Sequence, residues 1–209
     1  MLVRAIIVVG CACGFVVVPQ ARAKAVRTSP SLVVREASTN YVAPQDYRLS
    51  VWLTALGLGL DQVPYAQYSI GPFLTIAGLL FLLQTVRLRF VCDKDSFRIL
   101  QTSSFKEALI SSGENVIIGG ENTWKLKSLV NYDTFPKGWI DLPWGPVLIY
   151  FKETQTPKSS WTWGIGKGAN SPEAIKKGAR PGQVHFFPAI CDAKSLFAEF
   201  EKRGIKQIK

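Results

Sequence analysis

A chain of 209 residues holds one core of ordinary size and whatever precedes it. Its formal charge of +10 points toward nucleic acid or an anionic membrane surface, but five of the cations and Glu36 fall within residues 1–36, and without them +10 becomes +6. The rest of the chain is only moderately basic, and with no CxxC spacing and no pair of histidines beside Cys92 and Cys191 it carries no metal signature.

Residues 1–35 contain no Asp or Glu, carry Arg4, Arg22, Lys24, Arg27 and Arg35, and include an apolar run over 5–18. Arg4 suits an n-region, "AIIVVGCACGFVVV" an h-region, and "ARA" ending at Ala23 a small-residue cleavage site. The following "KAVRTSPSLVVREAST" is basic, hydroxylated and acid-poor, as transit peptides are. Signal followed by transit resembles the two-part address of plastid proteins in algae whose plastid lies inside extra membranes. "ACGF" at residues 12–15 is similar to the cleavage motif of such leaders. A plain secretory signal and an N-terminal membrane anchor are the alternatives. The expected organisation is a leader over 1–36 and a linker over 37–47.

From 62 to 86 the chain has 25 residues without a formal charge, and 70–86 is dense in Leu, Ile and Phe. No polar face interrupts it, which argues for a transmembrane helix over a soluble core helix. Pro72 is tolerated in the first turn, where its missing N–H has no partner to lose. Before it, "LSVWLTALGLGL" over 49–60 reaches only about 18 Å as a helix, so it either spans by recruiting Tyr47 and Arg48 at one interface and Val63 to Tyr65 at the other, or dips in and returns. Arg48 flanks the first segment and Arg87 and Arg89 the second, whereas the connecting loop holds Asp61 and no Lys or Arg. Positive residues stay on the side where insertion begins, so 48–86 is expected to be a membrane hairpin with both ends on that side.

Past it the period changes to alternation. "VRLRFVC" puts Val86, Leu88, Phe90 and Cys92 on one strand face, and "DKD" at 93–95 turns the chain back into "SFRILQ". Too few ligand positions accompany those two acids for a calcium loop. Further strands are expected at "NVIIGG", "TWKLKSLVN", "GPVLIYFKE" and "VHFFP". Asp192 is a good N-cap for a last helix, "AKSLFAEFEKR", with Leu196, Phe197 and Phe200 on its apolar face and Gly204 at its end. The fold class is therefore α+β: a membrane-embedded helical hairpin, then over 87–203 a small pleckstrin-homology-like antiparallel β domain closed by a C-terminal amphipathic helix, and a tail over 204–209.

The blocks "RLRFVCDKDSF", "NYDTFPKGWIDLPWGPVLIYFKE" and "HFFPAICDAKSL" resemble those of an uncharacterised cyanobacterial and plastid family, known as a domain of unknown function. In that family a short membrane hairpin precedes a small β-rich domain, and the resemblance covers 47–203. It brings no catalytic residues. The family passes from "YFKE" to "HFFP" in a few residues, where this chain has about 30 more, an insertion over 154–184.

That insertion contains "WTWGIGKGANS". A Walker A loop fails at both ends, with Trp161 in place of the first glycine and Gly168 in place of the hydroxyl residue after Lys167. Gly164, Gly166 and Ala169 nominally match a dinucleotide fingerprint, yet "SPEAIKKG" stops at Gly178, too soon for the long helix that motif requires. His185 is the only histidine, expected at a half-exposed strand position with no evident carboxylate partner or nucleophile beside it. Neither catalytic, metal nor cofactor residues are assigned.

The insertion is read as a surface segment of charge +4, from Lys158, Lys167, Lys176, Lys177 and Arg180 against Glu173. Its cations are interleaved with Trp161 and Trp163, and together they form the candidate partner-docking surface. The expected function is a non-enzymatic plastid thylakoid membrane protein, anchored in lipid and docking on the stromal side of a photosynthetic complex, most naturally a photosystem, as a peripheral subunit or assembly factor. Neither nucleic acid nor a small-molecule substrate is expected. A lipid-headgroup or lipid-handling module is the alternative from another class, and an enzyme with an unrecognised site is the third.

Overall fold

The computed structural model describes residues 40–103, 106–112, 121–162 and 164–208. The expected leader over 1–36, linker residues 37–39 and the strand at "NVIIGG" lie outside the described residues. After β1 (Tyr41–Val42), the uncharged run folds as α1 (Arg48–Leu60) and α2 (Ile70–Arg87). The two helices pack antiparallel through small residues. A Cβ on Gly57 would stand 2.4 Å from the Thr75 backbone nitrogen, and one on Gly78 would stand 2.5 Å from that of Thr54. Glycine at these two positions lets backbone approach backbone.

Helix α2 runs to Arg87, so Val86 belongs to it and not to the strand face predicted for it; β2 begins only at Leu88 and ends at Cys92. Phe90 and Cys92 are buried as the alternation predicts. Val91 is buried too, so both faces of β2 are covered where it lies in the sheet between β1 and β3 (Ser96–Ser103). The β2–β3 hairpin has the predicted turn at 93–95, with Leu88 opposite Gln101 and Cys92 opposite Phe97. On its other side β3 pairs first with β5 (Thr123–Lys125) and then with β4 (Lys106–Ser111). A 3-10 turn at Leu126–Ser128 breaks the strand expected from "TWKLKSLVN". Its second half, β6 (Leu129–Phe135), starts another antiparallel sheet with β7 (Leu148–Glu153) and β8 (Gln183–Pro188).

Between β7 and β8 the insertion forms two short helices, α3 (Gly166–Ala169) and α4 (Pro172–Lys176), the latter capped by Ser171 Oγ accepting from the Ala174 N–H at 3.2 Å. The last helix, α5 (Ala193–Lys202), starts at the predicted cap: Asp192 Oδ1 accepts from Lys194 N at 3.1 Å and Ser195 N at 3.4 Å. Leu196, Phe197 and Phe200 are buried between the sheets.

Phe97 sits at the centre of that core. Its ring meets Phe151 of the second sheet at 5.3 Å and Phe200 of α5 at 5.2 Å, both edge to face, while Tyr132 meets Phe200 at 5.2 Å. The helical hairpin grows from the same core. Leu49 is buried in it, and Leu53 and Phe81 pack against it. The result is a mixed α+β chain with two antiparallel sheets, a wedged C-terminal helix and one pair of apolar helices.

Because backbone already touches backbone at Gly78, Gly78→Leu should force α1 and α2 apart and cost about 1–3 kcal/mol. A lower thermal midpoint of the purified chain in detergent is the expected result. Leu at exposed position 79, mutated to Ala, should leave the midpoint nearly unchanged.

Candidate functional site

The hairpin surface is apolar on its open sides. Ile70, Phe73, Ile76, Leu80, Leu83 and Val86 of α2 are exposed, as are Val51, Trp52, Leu56 and Leu58 of α1. Isolated exposed apolar residues need no explanation, but a continuous patch does. Among the described residues, α2 is the one helix long and apolar enough to cross a membrane by length and composition. Its 18 residues extend about 27 Å against a hydrocarbon thickness of ~30 Å. At the root, Trp52 meets Trp144 at 6.4 Å and Trp144 meets Trp139 at 6.1 Å, with Trp52 Nε1 donating to the Pro143 carbonyl at 3.3 Å. Tyr65 and Tyr68 are exposed in the loop at the other end.

The three arginines read as membrane flanks also have local partners. Arg48 forks onto Asp46 at 2.8 Å and donates to the Leu142 carbonyl at 2.7 Å, tying the start of α1 to the tryptophan loop. Arg89 Nη1 donates to the carbonyls of Thr85, Val86 and Leu88, and Gln45 Nε2 donates to Thr85 at 2.6 Å, which closes the open carbonyl end of α2. Arg87 reaches Gln101, whose oxygen accepts from its Nε at 3.1 Å once the amide is turned toward it.

On the insertion, Lys158, Lys167, Lys176, Lys177 and Arg180 are exposed, and none pairs with an acid among the described residues. Trp161 is different. It is only 9% exposed, its Nε1 donates to the Thr156 carbonyl at 2.8 Å, and its own carbonyl accepts from Asn170 at 2.7 Å. It holds the insertion together instead of offering a docking face. Trp163 lies outside the described residues.

Nor is the insertion a loop projecting from the surface. It folds over the outer face of the second sheet, where Asn131, Phe135, Leu148, Tyr150, Val184 and Phe186 meet Ile165, Ala169, Ala174 and Ala179 around a cavity of about 480 Å³. Lys152 lies beneath it, 5% exposed, with Nζ donating to the Ala169 carbonyl at 2.7 Å and to that of Arg180 at 3.1 Å. The residue after Lys152 on β7 points to the other face and is buried as well.

That residue, Glu153, forms the pair that sequence reasoning missed. Its Oε1 lies 2.9 Å from His185 Nε2, and His185 is 4% exposed, stacked 5.1 Å from Phe151 and 4.9 Å from Trp124. The expectation of a half-exposed histidine fails because β8 is covered by the core on that face. Glu153 also accepts from Thr156 N at 2.9 Å, from Thr156 Oγ1 and from Gln155 N. Burial works to raise its pKa, but the hydrogen bonds from His185 and Thr156 outweigh it and hold the carboxyl below its ordinary value of 4.5. His185 Nδ1 has no partner, so a proton on Nε2 satisfies the ring best. With both groups sealed in aromatic packing, the pair joins β7 to β8 and has no access to a substrate. Strand alternation carried the signal: Glu153 shares the inward face of Ile149 and Phe151.

A second feature no single segment reveals is a basic cleft of about 350 Å³, lined by Lys94, Lys127, Arg180, Arg203 and Lys206 with Asp95. Arg203 is committed to Glu199 at 2.7 Å and to the Cys92 and Asp93 carbonyls. The four other cations have no acid paired with them among the described residues. Cys92 and Cys191 are both free and fully buried, and burial pushes the Cys92 thiol up to about 12, so neither is poised for reaction. No cluster of three or more metal-ligating side chains occurs among the described residues.

Glu153→Gln should cost about 2–4 kcal/mol, since it removes the charged acceptor of the His185 Nε2–H and weakens the three further bonds from Thr156 N, Thr156 Oγ1 and Gln155 N. Because the native carboxyl binds its proton less readily than the unfolded one, its contribution is present above the ordinary carboxylate range and is lost as pH falls through the native value. Chemical denaturation of the wild type from pH 6 down to pH 3 should therefore lose stability that the Gln variant has already lost. Equal slopes for the two proteins would remove this role.

No curated protein and no solved structure matches the chain. A family described as protein of unknown function (DUF3119) matches residues 42–204, from the end of β1 to the residue that follows α5 by two. Both helices of the hairpin, strands β2 to β8 and the insertion fall inside that span, and on it the chain belongs to the DUF3119 family.

Proposed function

We propose that the chain is a non-enzymatic, membrane-anchored docking module: the hairpin of α1 and α2 sits in a lipid bilayer, and the two-sheet domain, pleckstrin-homology-like in its order of strands and closing helix, presents a basic cleft to an acidic partner. The observation that carries the anchor is the apolar outer surface of the hairpin, bounded by Trp52, Trp139 and Trp144 at its root and by Tyr65 and Tyr68 at its tip. Tryptophan and tyrosine favour the two interfaces of a bilayer, and a charge-free helix pair favours its interior. Arg48, Arg87 and Arg89 at the root keep that end on the side of insertion.

The cleft supports the partner. Strand β2 leaves α2 at Leu88 and runs five residues, about 16 Å, before the turn that carries Lys94. A cleft at that end suits a protein surface better than headgroups of the bilayer that holds the hairpin, which favours docking over lipid-headgroup binding. The partner we infer is an acidic stromal surface of a thylakoid photosynthetic complex, most naturally a photosystem or its assembly intermediate. The two-part leader and the family resemblance of the sequence support that location.

Carbonate-washed membranes and native gels test the proposal together. The chain should stay in the pellet after carbonate, and in mild detergent it should migrate with a photosystem-sized complex. The double variant Lys94→Glu, Lys127→Glu should remain in the pellet but shift to free-protein size. Release of the wild type by carbonate would end the anchor; migration of the wild type only at free size would end the docking.

A further inference from the structure

The cavity between the insertion and the second sheet contains a problem in electrostatics. Lys152 lies within its walls, nineteen-twentieths buried, and no carboxylate pairs with it among the described residues. An ammonium has three N–H donors, and the carbonyls of Ala169 and Arg180 take two. A buried cation is ordinarily neutralised by a partner or gives up its proton. Burial indeed holds the Lys152 pKa below its ordinary value, a strain that a bound anion would relieve. The other walls are almost entirely hydrocarbon: Phe135, Leu148, Ile165, Ala174, Val184 and Phe186. At about 480 Å³ the space falls within the range of small-molecule pockets.

At one edge the backbone of the cavity wall is bonded to that of the tryptophan groove. The Phe135 carbonyl accepts from Val147 N at 2.9 Å, and Val147 lines an apolar groove with Trp52, Trp139 and Trp144. Leu148, the next residue, lines the cavity. Phe135 and Ile165, about 60% exposed each, stand at its edge. Exposed hydrocarbon therefore borders the cavity whose wall holds the buried ammonium.

We propose that this cavity binds a single-chain amphiphile with a carboxylate head, a free fatty acid, whose head is held by the Lys152 ammonium and whose tail lies between the insertion and β6, β7 and β8. One ammonium balances one negative charge. A phosphate monoester, carrying nearly two at neutral pH, would leave buried charge uncompensated, which selects the carboxylate. The site shares only Arg180 with the basic cleft, through its carbonyl, and stands whether or not the module docks on a larger complex.

The test uses the full chain in nanodiscs of zwitterionic lipid, titrated with carboxyl-13C-labelled palmitate. The wild type should show a bound carboxyl resonance, absent from empty nanodiscs, that saturates at one equivalent per chain. Lys152→Met should weaken it at least about ten-fold. Ala174→Trp, which fills the cavity and leaves the ammonium in place, should abolish it. Far-UV circular dichroism of both variants should match the wild type; should Lys152→Met lose its fold, the Ala174→Trp result decides. Palmityl alcohol should not displace the bound acid, and lysophosphatidic acid should do so only weakly. Absence of a protein-dependent resonance in the wild type, or one that survives Ala174→Trp, would overturn the proposal. Displacement by the alcohol as effective as by palmitate itself would overturn the role of Lys152.

Discussion

No ladder joins the two sheets among the described residues, so their alignment rests on side chains, and Phe97 is where those side chains converge. It lies on β3, touches Phe151 on β7 and Phe200 on α5, and is stacked 5.8 Å from Trp124 and 6.1 Å from Phe90. A large aromatic in such a position buries on the order of 150–250 Å², and its edge-to-face contacts add to that. One side chain thus fixes the distance between two sheets and the helix wedged into them. The hairpin inherits the constraint through Leu49, Leu53 and Phe81, so α1 and α2 leave a rigid base instead of hanging from a linker.

Strand β7 shows what the insertion costs. In a sheet with one wet face, Lys152 would point to water and Glu153 to the core. Here both faces are covered, and the two consecutive charged residues are buried back to back. Glu153 is compensated in full, by His185 and by donors from the first residues of the insertion. Lys152 is compensated only by carbonyls, one of which closes α3 and the other of which is Arg180. Carbonyl dipoles ease a buried ammonium but do not neutralise it. Of these two neighbours, Lys152 alone keeps a buried charge that no opposite charge meets among the described residues.

What was legible in the sequence followed from single-segment signals. The charge-free run, the alternation at "RLRFVC", the acidic turn at 93–95 and the cap of α5 at Asp192 each have their cause within a dozen residues. Other features depend on partners far away in the chain. The strand at "TWKLKSLVN" breaks because Trp124 is needed in one sheet and Tyr132 in the other. Strand β4 is short, polar at its start and, among the described residues, paired through β3 alone, so neither period announced it. Trp161 looked like an exposed anchor because composition cannot say that the insertion turns back on its own sheet. The basic cleft draws its cations from four segments, and only the chain's return after α5 brings Lys206 beside Lys94 and Lys127.

The domain is chemically polarised along its strands. Near the hairpin root lie the three tryptophans, Phe135 and Val147, apolar and exposed; at the opposite turn of β2 and β3 lie Lys94, Lys127 and Lys206 around water. Arg180 belongs to both regions: its carbonyl accepts from Lys152 under the insertion, and the residue lines the basic cleft. A shift of the insertion needed to admit a ligand beside Lys152 would move the Arg180 backbone with it.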